Sequence, residues 1–341
     1  MLKTLLFTLE NGKSVSSGIQ LLANTAKKKS ERKTYQTIYE DLKEGVSFAE
    51  SLNRHRLVSL DVLQFITMGE KGMSFKSSLQ KIIQYLEIKE DFHRESNDKT
   101  TLPFLYFFLA FLIVIGVKFF AVPYQVERSL EYGKEIIALV GAHLDRAQLM
   151  SDILFTSVLV IATYFIILLI ALFGESPFVQ NIAKQLALIL PLSSRIVMKF
   201  EKFMLFSMMG EMLLSGISYK KVMESAIATA TIGYYKKALK ESMESIKNEG
   251  KFILHPSLFD DTEIGLLTGV GSSAQIGTVM IEISKRAKSD ALILSTKFFR
   301  LIVVLSILLM AFAVFIEFYT VVLSQILVQK GLIDMVKGAS F

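Results

Sequence analysis

Three long apolar stretches constrain this chain more than any other feature. Leu102 to Val122 is broken only by Lys118, Ile153 to Phe173 holds no charge, and Leu301 to Val328 holds one carboxylate, Glu317. About 20 apolar residues at a rise of ~1.5 Å per residue cross ~30 Å of hydrocarbon. Each stretch is therefore long enough to be a transmembrane helix. Charged residues still make up 21% of the 341 residues, although 52% are apolar and the mean hydropathy is +0.45. The polar residues must then be gathered into separate blocks, and the composition predicts helical domains joined to membrane segments. The N-terminal apolar run, Met1 to Glu10, leads into Asn11-Gly12-Lys13 without a small-residue cleavage site, so it is read as part of a domain rather than a signal peptide.

Several kinds of chemistry are excluded by residue type. The chain has no cysteine, which rules out disulfides and thiolate sites. Its four histidines, at 55, 93, 143 and 255, never fall at the spacing of a metal-binding helix. Neither a Walker-type phosphate loop nor a nucleophile elbow occurs. The sequence thus assigns no catalytic residue, cofactor or metal, and its net charge of +6 gives no reason to expect nucleic-acid binding.

The distribution of that charge predicts orientation. Lys and Arg within about 20 residues of the spans number nine in the segments before span one, after span two and before span three. Five lie in the connection between spans one and two and in the tail. The positive-inside rule places the N-terminus in the cytoplasm. Residues 1–101 and 174–300 then face the cytoplasm with +3 and +4, and the outer loop 123–152 carries −2.

Both cytoplasmic blocks show helical periodicity, with Phe75, Leu79, Ile82, Ile83 and Leu86 forming one apolar face and Ile276, Val279, Met280, Ile283 and Ala287 another. They also repeat. Gly12-Lys13-Ser14 matches Gly216-Ile217-Ser218, Glu44-Gly45 matches Glu249-Gly250, and Gly69-Glu70 matches Gly269-Val270. Each glycine stands between periodic runs, where a residue free to adopt positive φ closes a helix. The expected architecture is an all-α integral membrane protein with two duplicated cytoplasmic helical-bundle domains and three transmembrane helices. Its parts are a first repeat at 1–101, helices at 102–122 and 153–173 flanking a periplasmic loop at 123–152, a second repeat at 174–300, a third helix at 301–328, and a periplasmic tail at 329–341.

A few polar residues carry more specific expectations. Lys118 and Glu317 each lie 16 residues beyond the start of their spans, roughly 24 Å in. If spans one and three run parallel, the two form an intramembrane ion pair; the alternative is that each snorkels separately to the outer interface. The basic run at Lys27, Lys28 and Lys29 is either a solvated turn or a contact for anionic headgroups or an acidic partner. Asp260, Asp261 and Glu263 read as the start of a helix, with a divalent cation as the alternative. Glu70 either binds a partner or caps a helix in its glycine-rich turn.

These features resemble the type II secretion protein F group of inner-membrane platform proteins, which includes the platforms of type IV pili. Members carry two six-helix cytoplasmic domains and three spans. Gly12 to Ile19 and Gly216 to Met223 are similar to the start of a helix in that family, although neither keeps its alanine. Gly69-Glu70-Lys71-Gly72 is similar to a later Gly-Glu element with its second glycine one place early; the second copy, Gly269-Val270-Gly271, lacks the glutamate. Leu190-Pro191-Leu192 resembles the element that leads into the second copy. The resemblance implies a multi-pass protein of the bacterial inner membrane with its N-terminus in the cytoplasm. Its implied partners are a cytoplasmic assembly ATPase, pilin or pseudopilin subunits, other inner-membrane assembly proteins and further copies of itself. The competing reading is a small oligomeric transporter or permease subunit, which would need polar or broken helices at the membrane centre. A membrane sensor would need a ligand pocket in an outer loop of about 30 residues, where none is legible.

Overall fold

A computed structural model describes residues 1–71, 75–129, 131, 133–174, 177–249, 255–267 and 270–338. The chain is 89% helical, and no strand occurs among the described residues. It divides into two compact units. Unit 1 comprises Met1–Arg94 and Ala171–Ile293, and unit 2 comprises Glu95–Ile170 and Leu294–Phe341.

The first segment of unit 1 contains α1 (Leu2–Glu10), α2 (Val15–Thr25), α3 (Lys29–Lys43), α4 (Phe48–Arg54), α5 (Leu60–Lys71) and the beginning of α6 (Phe75–Gly116). Short polar residues set these boundaries. Ser14 accepts the Ser17 N–H at 3.2 Å to start α2, and Ser47 accepts the Glu50 N–H at 3.1 Å to start α4. Gly12 and Gly45 close α1 and α3 at φ of 72° and 84°. After Gly12, the Lys13 N–H reaches back to the Thr8 carbonyl while that of Gly12 reaches Leu9, a pairing that requires a left-handed residue between them. Leu79, Ile82 and Ile83 are buried, as the periodicity of α6 predicts.

Unit 2 holds the remainder of α6, followed by a π-helical turn at Val117–Ala121, α7 (Val122–Ser129) and α8 (Gly133–Phe173), which ends in unit 1. The described residues of the connection 123–152, expected as a short outer loop, are largely helical. Apolar positions inside that stretch explain the difference: Val140 and Leu144 are buried and pack with Val328 near the end of the chain. Pro103 lies inside α6.

The second segment of unit 1 contains α9 (Pro177–Ile189), α10 (Pro191–Leu214), α11 (Tyr219–Thr229), α12 (Gly233–Glu249), a 3₁₀ turn at Pro256–Leu258, α13 (Asp261–Leu267) and the first part of α14 (Ser273–Phe318). Pro191 starts α10 where a missing N–H costs nothing. Between Glu201 and Leu213, every residue of α10 except Met204 is buried, so this helix lies at the centre of the unit. Its Gly210 approaches α14 so closely that an added Cβ would stand 2.9 Å from the Gly277 carbonyl oxygen. Gly216 ends the connection to α11 at φ 77° and repeats the pattern at Gly12, with the Ile217 N–H reaching Met212 and that of Gly216 reaching Leu213. Ile276, Met280, Ile283 and Ala287 are buried along α14.

The two segments of unit 1 share one core. Phe92 on α6 stacks near Phe200 and Phe203 on α10, with ring centroids 4.8 and 5.6 Å away. Lys81 on α6 lies 3.3 Å from Glu211 on α10. In unit 2, α14 passes into a second π turn at Tyr319–Leu323 and then α15 (Ser324–Gly338). The two π turns lie 202 residues apart, close to the spacing of 204 between Gly12 and Gly216. Three helices, within Phe75–Arg128, Val140–Phe173 and Ser273–Gly331, are long and apolar enough to cross a membrane.

Candidate functional site

Glu70 sits near the end of α5, beside the start of α4. One carboxylate oxygen accepts the Phe48 N–H at 2.7 Å, and the other accepts the Ala49 N–H at 3.1 Å. These are orphan donors of a helix start, so an anion here satisfies them and meets the positive end of the helix dipole. Of the two roles open to Glu70, the geometry shows the cap. Beside it lies an open groove of ≈ 750 Å³, bordered by Val15, Leu42, Glu50, Asn53 and Thr67. Gly69 is buried against Ser78, leaving no room for a side chain: a Cβ would stand 2.6 Å from that of the serine. Gly72, Gly250 and Gly269 lie outside the described residues.

The basic turn is exposed at Lys27, Lys28 and Lys29. Lys28 approaches Glu31 at 3.4 Å, and the Arg32 guanidinium donates to the Ala26 carbonyl at 3.1 Å, which braces the turn without covering it.

Asp260 and Glu263 form a reciprocal cap. The Asp260 side chain accepts the Glu263 N–H at 2.9 Å, and Glu263 accepts the Asp260 N–H at 2.9 Å. Glu263 is also ion-paired with buried Lys202. The cluster thus acts as the start of α13, and no group of carboxylates or histidines poised for a metal occurs among the described residues.

The expected ion pair between Lys118 and Glu317 is not formed. Lys118, in the first π turn, is paired with Asp152 on α8. Asp152 directly precedes the second apolar stretch, so the hairpin of spans one and two brings its carboxylate level with Lys118 near the end of the first. Sequence reasoning had assigned Asp152 to the outer loop. Glu317 remains exposed on α14 and borders a groove of ≈ 530 Å³ with Ile113, Val117, Phe120 and Tyr124; it makes no ion pair among the described residues.

Sequence reasoning missed a polar network inside the second segment. Lys184 on α9 is 5% exposed and contacts Glu201 at 2.8 Å and the Thr231 hydroxyl at 3.1 Å. The other Glu201 oxygen accepts from the Thr231 N–H at 2.6 Å and its hydroxyl at 2.7 Å. One carboxylate thus ties α9 to α10 and to the turn between α11 and α12. Nearby, burial pushes the Glu211 carboxyl above its usual range, while Lys81 and Lys285 pull it back. The signal for these groups lay in the apolar surroundings of α10, which leave a charged residue little access to water.

Comparison with curated proteins finds no match. The model of the family described as Type II secretion system (T2SS), protein F, matches residues 1–123, which run from α1 through the first apolar span. Over those residues, about a third of the chain, it is similar to the type II secretion system protein F family.

Proposed function

We propose that this protein is the inner-membrane platform of a type IV pilus or type II secretion-like machine, coupling a cytoplasmic assembly ATPase to the insertion or extraction of pilin subunits. The observation that carries the reading is the family match over 1–123 on a chain with three membrane-length helices. The compact unit built from 1–94 and 171–293 supports it, because two segments separated in sequence by two spans share a core around Phe92 and α10. The paired glycine closures and paired π turns favour a duplicated domain, each copy feeding a span.

In this reading both helical segments lie on the cytoplasmic side, which the excess of Lys and Arg near their ends of the spans favours. The exposed turn at Lys28 and Lys29 offers a site for an acidic ATPase surface. Pilins and other inner-membrane assembly proteins meet the spans and their outer ends, and the platform works as a homo-oligomer. It supplies no hydrolysis of its own; energy arrives from the docked ATPase, and movement of unit 1 transmits it.

The test is co-purification of the full chain with a Walker-motif ATPase from the same cell. Wild type is expected to retain the ATPase, and the Lys27→Glu, Lys28→Glu, Lys29→Glu triple variant to lose at least tenfold in retention while remaining folded. Failure of the wild type to retain any such ATPase would overturn the reading.

A further inference from the structure

Helix α9 presents three distinct faces. Ala183, Lys184 and Ala187 are buried, and Lys184 is fixed to Glu201 and Thr231. Asn181 and Gln185 make a narrow exposed amide flank, with Gln185 donating to the Thr231 carbonyl at 3.2 Å. The third face is apolar and exposed: Phe178, Val179, Ile182, Leu186 and Ile189 lie within an arc of about 100°. Phe178 and Ile189, at its two ends, are 74% and 76% exposed. No charged residue interrupts this face.

What covers it follows from the chain on either side. The second membrane-length helix ends at Phe173, and α9 starts at Pro177. Four Cα steps reach at most ~14 Å even when fully extended. The start of α9 is therefore held within headgroup distance of the point where span two leaves the hydrocarbon. A helix of 13 residues is ~20 Å long, too short to cross and long enough to lie along an interface. A soluble partner on this face would have to displace lipid from a surface tethered beside it.

We infer that α9 is an interfacial membrane helix, with Phe178, Ile182, Leu186 and Ile189 inserted at the headgroup–acyl boundary of the leaflet that span two has just left. The inference rests on span two crossing the bilayer and does not depend on the ATPase or pilin assignments. Its consequence is mechanical. The Lys184–Glu201–Thr231 network makes α9 the element through which the leaflet holds α10, the central helix of unit 1.

The natural absence of cysteine allows a direct test on the full chain in phospholipid vesicles. Single cysteines replacing Ile182 or Ile189 carry an environment-sensitive fluorophore; Leu159→Cys in span two serves as the lipid-exposed reference, and Ser30→Cys on α3 as the aqueous one. Lipid brominated at acyl carbons 6 and 7 is expected to quench the labels at 182 and 189 at least half as strongly as that at 159, and to leave 30 unchanged. Shallow bromines should quench 182 at least twofold more than bromines at carbons 11 and 12. Quenching by aqueous iodide without quenching by bromolipid would place the face in water and overturn the inference. Resistance to both quenchers would show protein covering it, a second copy or another partner, and would overturn it equally.

Discussion

Each segment of unit 1 contains a helix closed by a left-handed glycine, Gly12 in one and Gly216 in the other, but their interiors differ. In 1–94 no charged residue is buried among the described ones; Glu70 caps α4 through the Phe48 and Ala49 N–H groups, and buried Ser51 donates to the partly exposed Asp41. In 171–293 five charged residues among the described ones are buried: Lys184, Glu201, Lys202, Glu211 and Glu263. Buried charges tolerate no vacancy, because a partner left alone keeps its desolvation cost without compensation. The first segment is therefore held mainly by shape and helix caps, while the second depends on completing specific pairs. That contrast can be broken or sharpened by substitution in purified full-length protein, with unfolding followed by denaturant.

The largest effect is expected at the Lys184–Glu201 pair. Glu201→Ala strands the Lys184 ammonium and the Thr231 N–H, and should cost about 3–5 kcal/mol. Lys184→Met combined with Glu201→Gln removes both charges but keeps an acceptor for Thr231, and should recover most of that loss. Equal losses from the single and double variants would contradict the dependence on pairing. Next comes the helix crossing. Gly210→Ala drives a Cβ to 2.9 Å from a backbone oxygen, so α10 and α14 must separate, at a cost of about 1–3 kcal/mol.

Glu70→Ala in the first segment removes only a cap and should cost about 1–2 kcal/mol. A loss as large as that of Glu201→Ala would erase the contrast between the segments. Glu211→Gln should have the smallest effect, under about 1 kcal/mol at neutral pH, and should tend to stabilise. Burial raises the Glu211 pKa in the folded state, so the folded chain binds that proton more tightly than the unfolded chain does. Its contribution to stability is then most favourable below the unfolded value and falls as pH rises through the folded pKa. Wild type should lose stability relative to the glutamine variant over that window, measured as the difference between their unfolding curves from acid to neutral pH.

Legibility followed the physics. The spans stood out because hydrocarbon demands a long apolar run, and Gly12, Gly45 and Gly216 because helix closure demands a positive φ. Asp260 was readable as a cap from its place ahead of a short helix. The buried pairs were not, since Lys184 and Glu201 fall on separate helices and Lys202 and Glu263 are 61 residues apart, while a charged residue in a periodic pattern reads as solvent-facing. Equal depth suggested Glu317 as the partner of Lys118, but depth alone ignores Asp152, which the turn between spans one and two carries back to the same level. Which side of α9 is buried is not readable from its sequence, and the burial of Ala183, Lys184 and Ala187 shows that the opposite, apolar face is the exposed one.

The central claim, that both helical segments work on one side of the membrane as a single coupling unit, is tested most directly by topology. Single cysteines at Ser30, Lys240 and Glu127 in the full chain can be labelled with a membrane-impermeant maleimide in intact cells whose outer barrier has been opened, and in inverted inner-membrane vesicles. The account predicts that Ser30→Cys and Lys240→Cys react only from the cytoplasmic face and Glu127→Cys only from the opposite face. Labelling of Ser30→Cys and Lys240→Cys from different faces, or of Glu127→Cys from the same face as both, would contradict it.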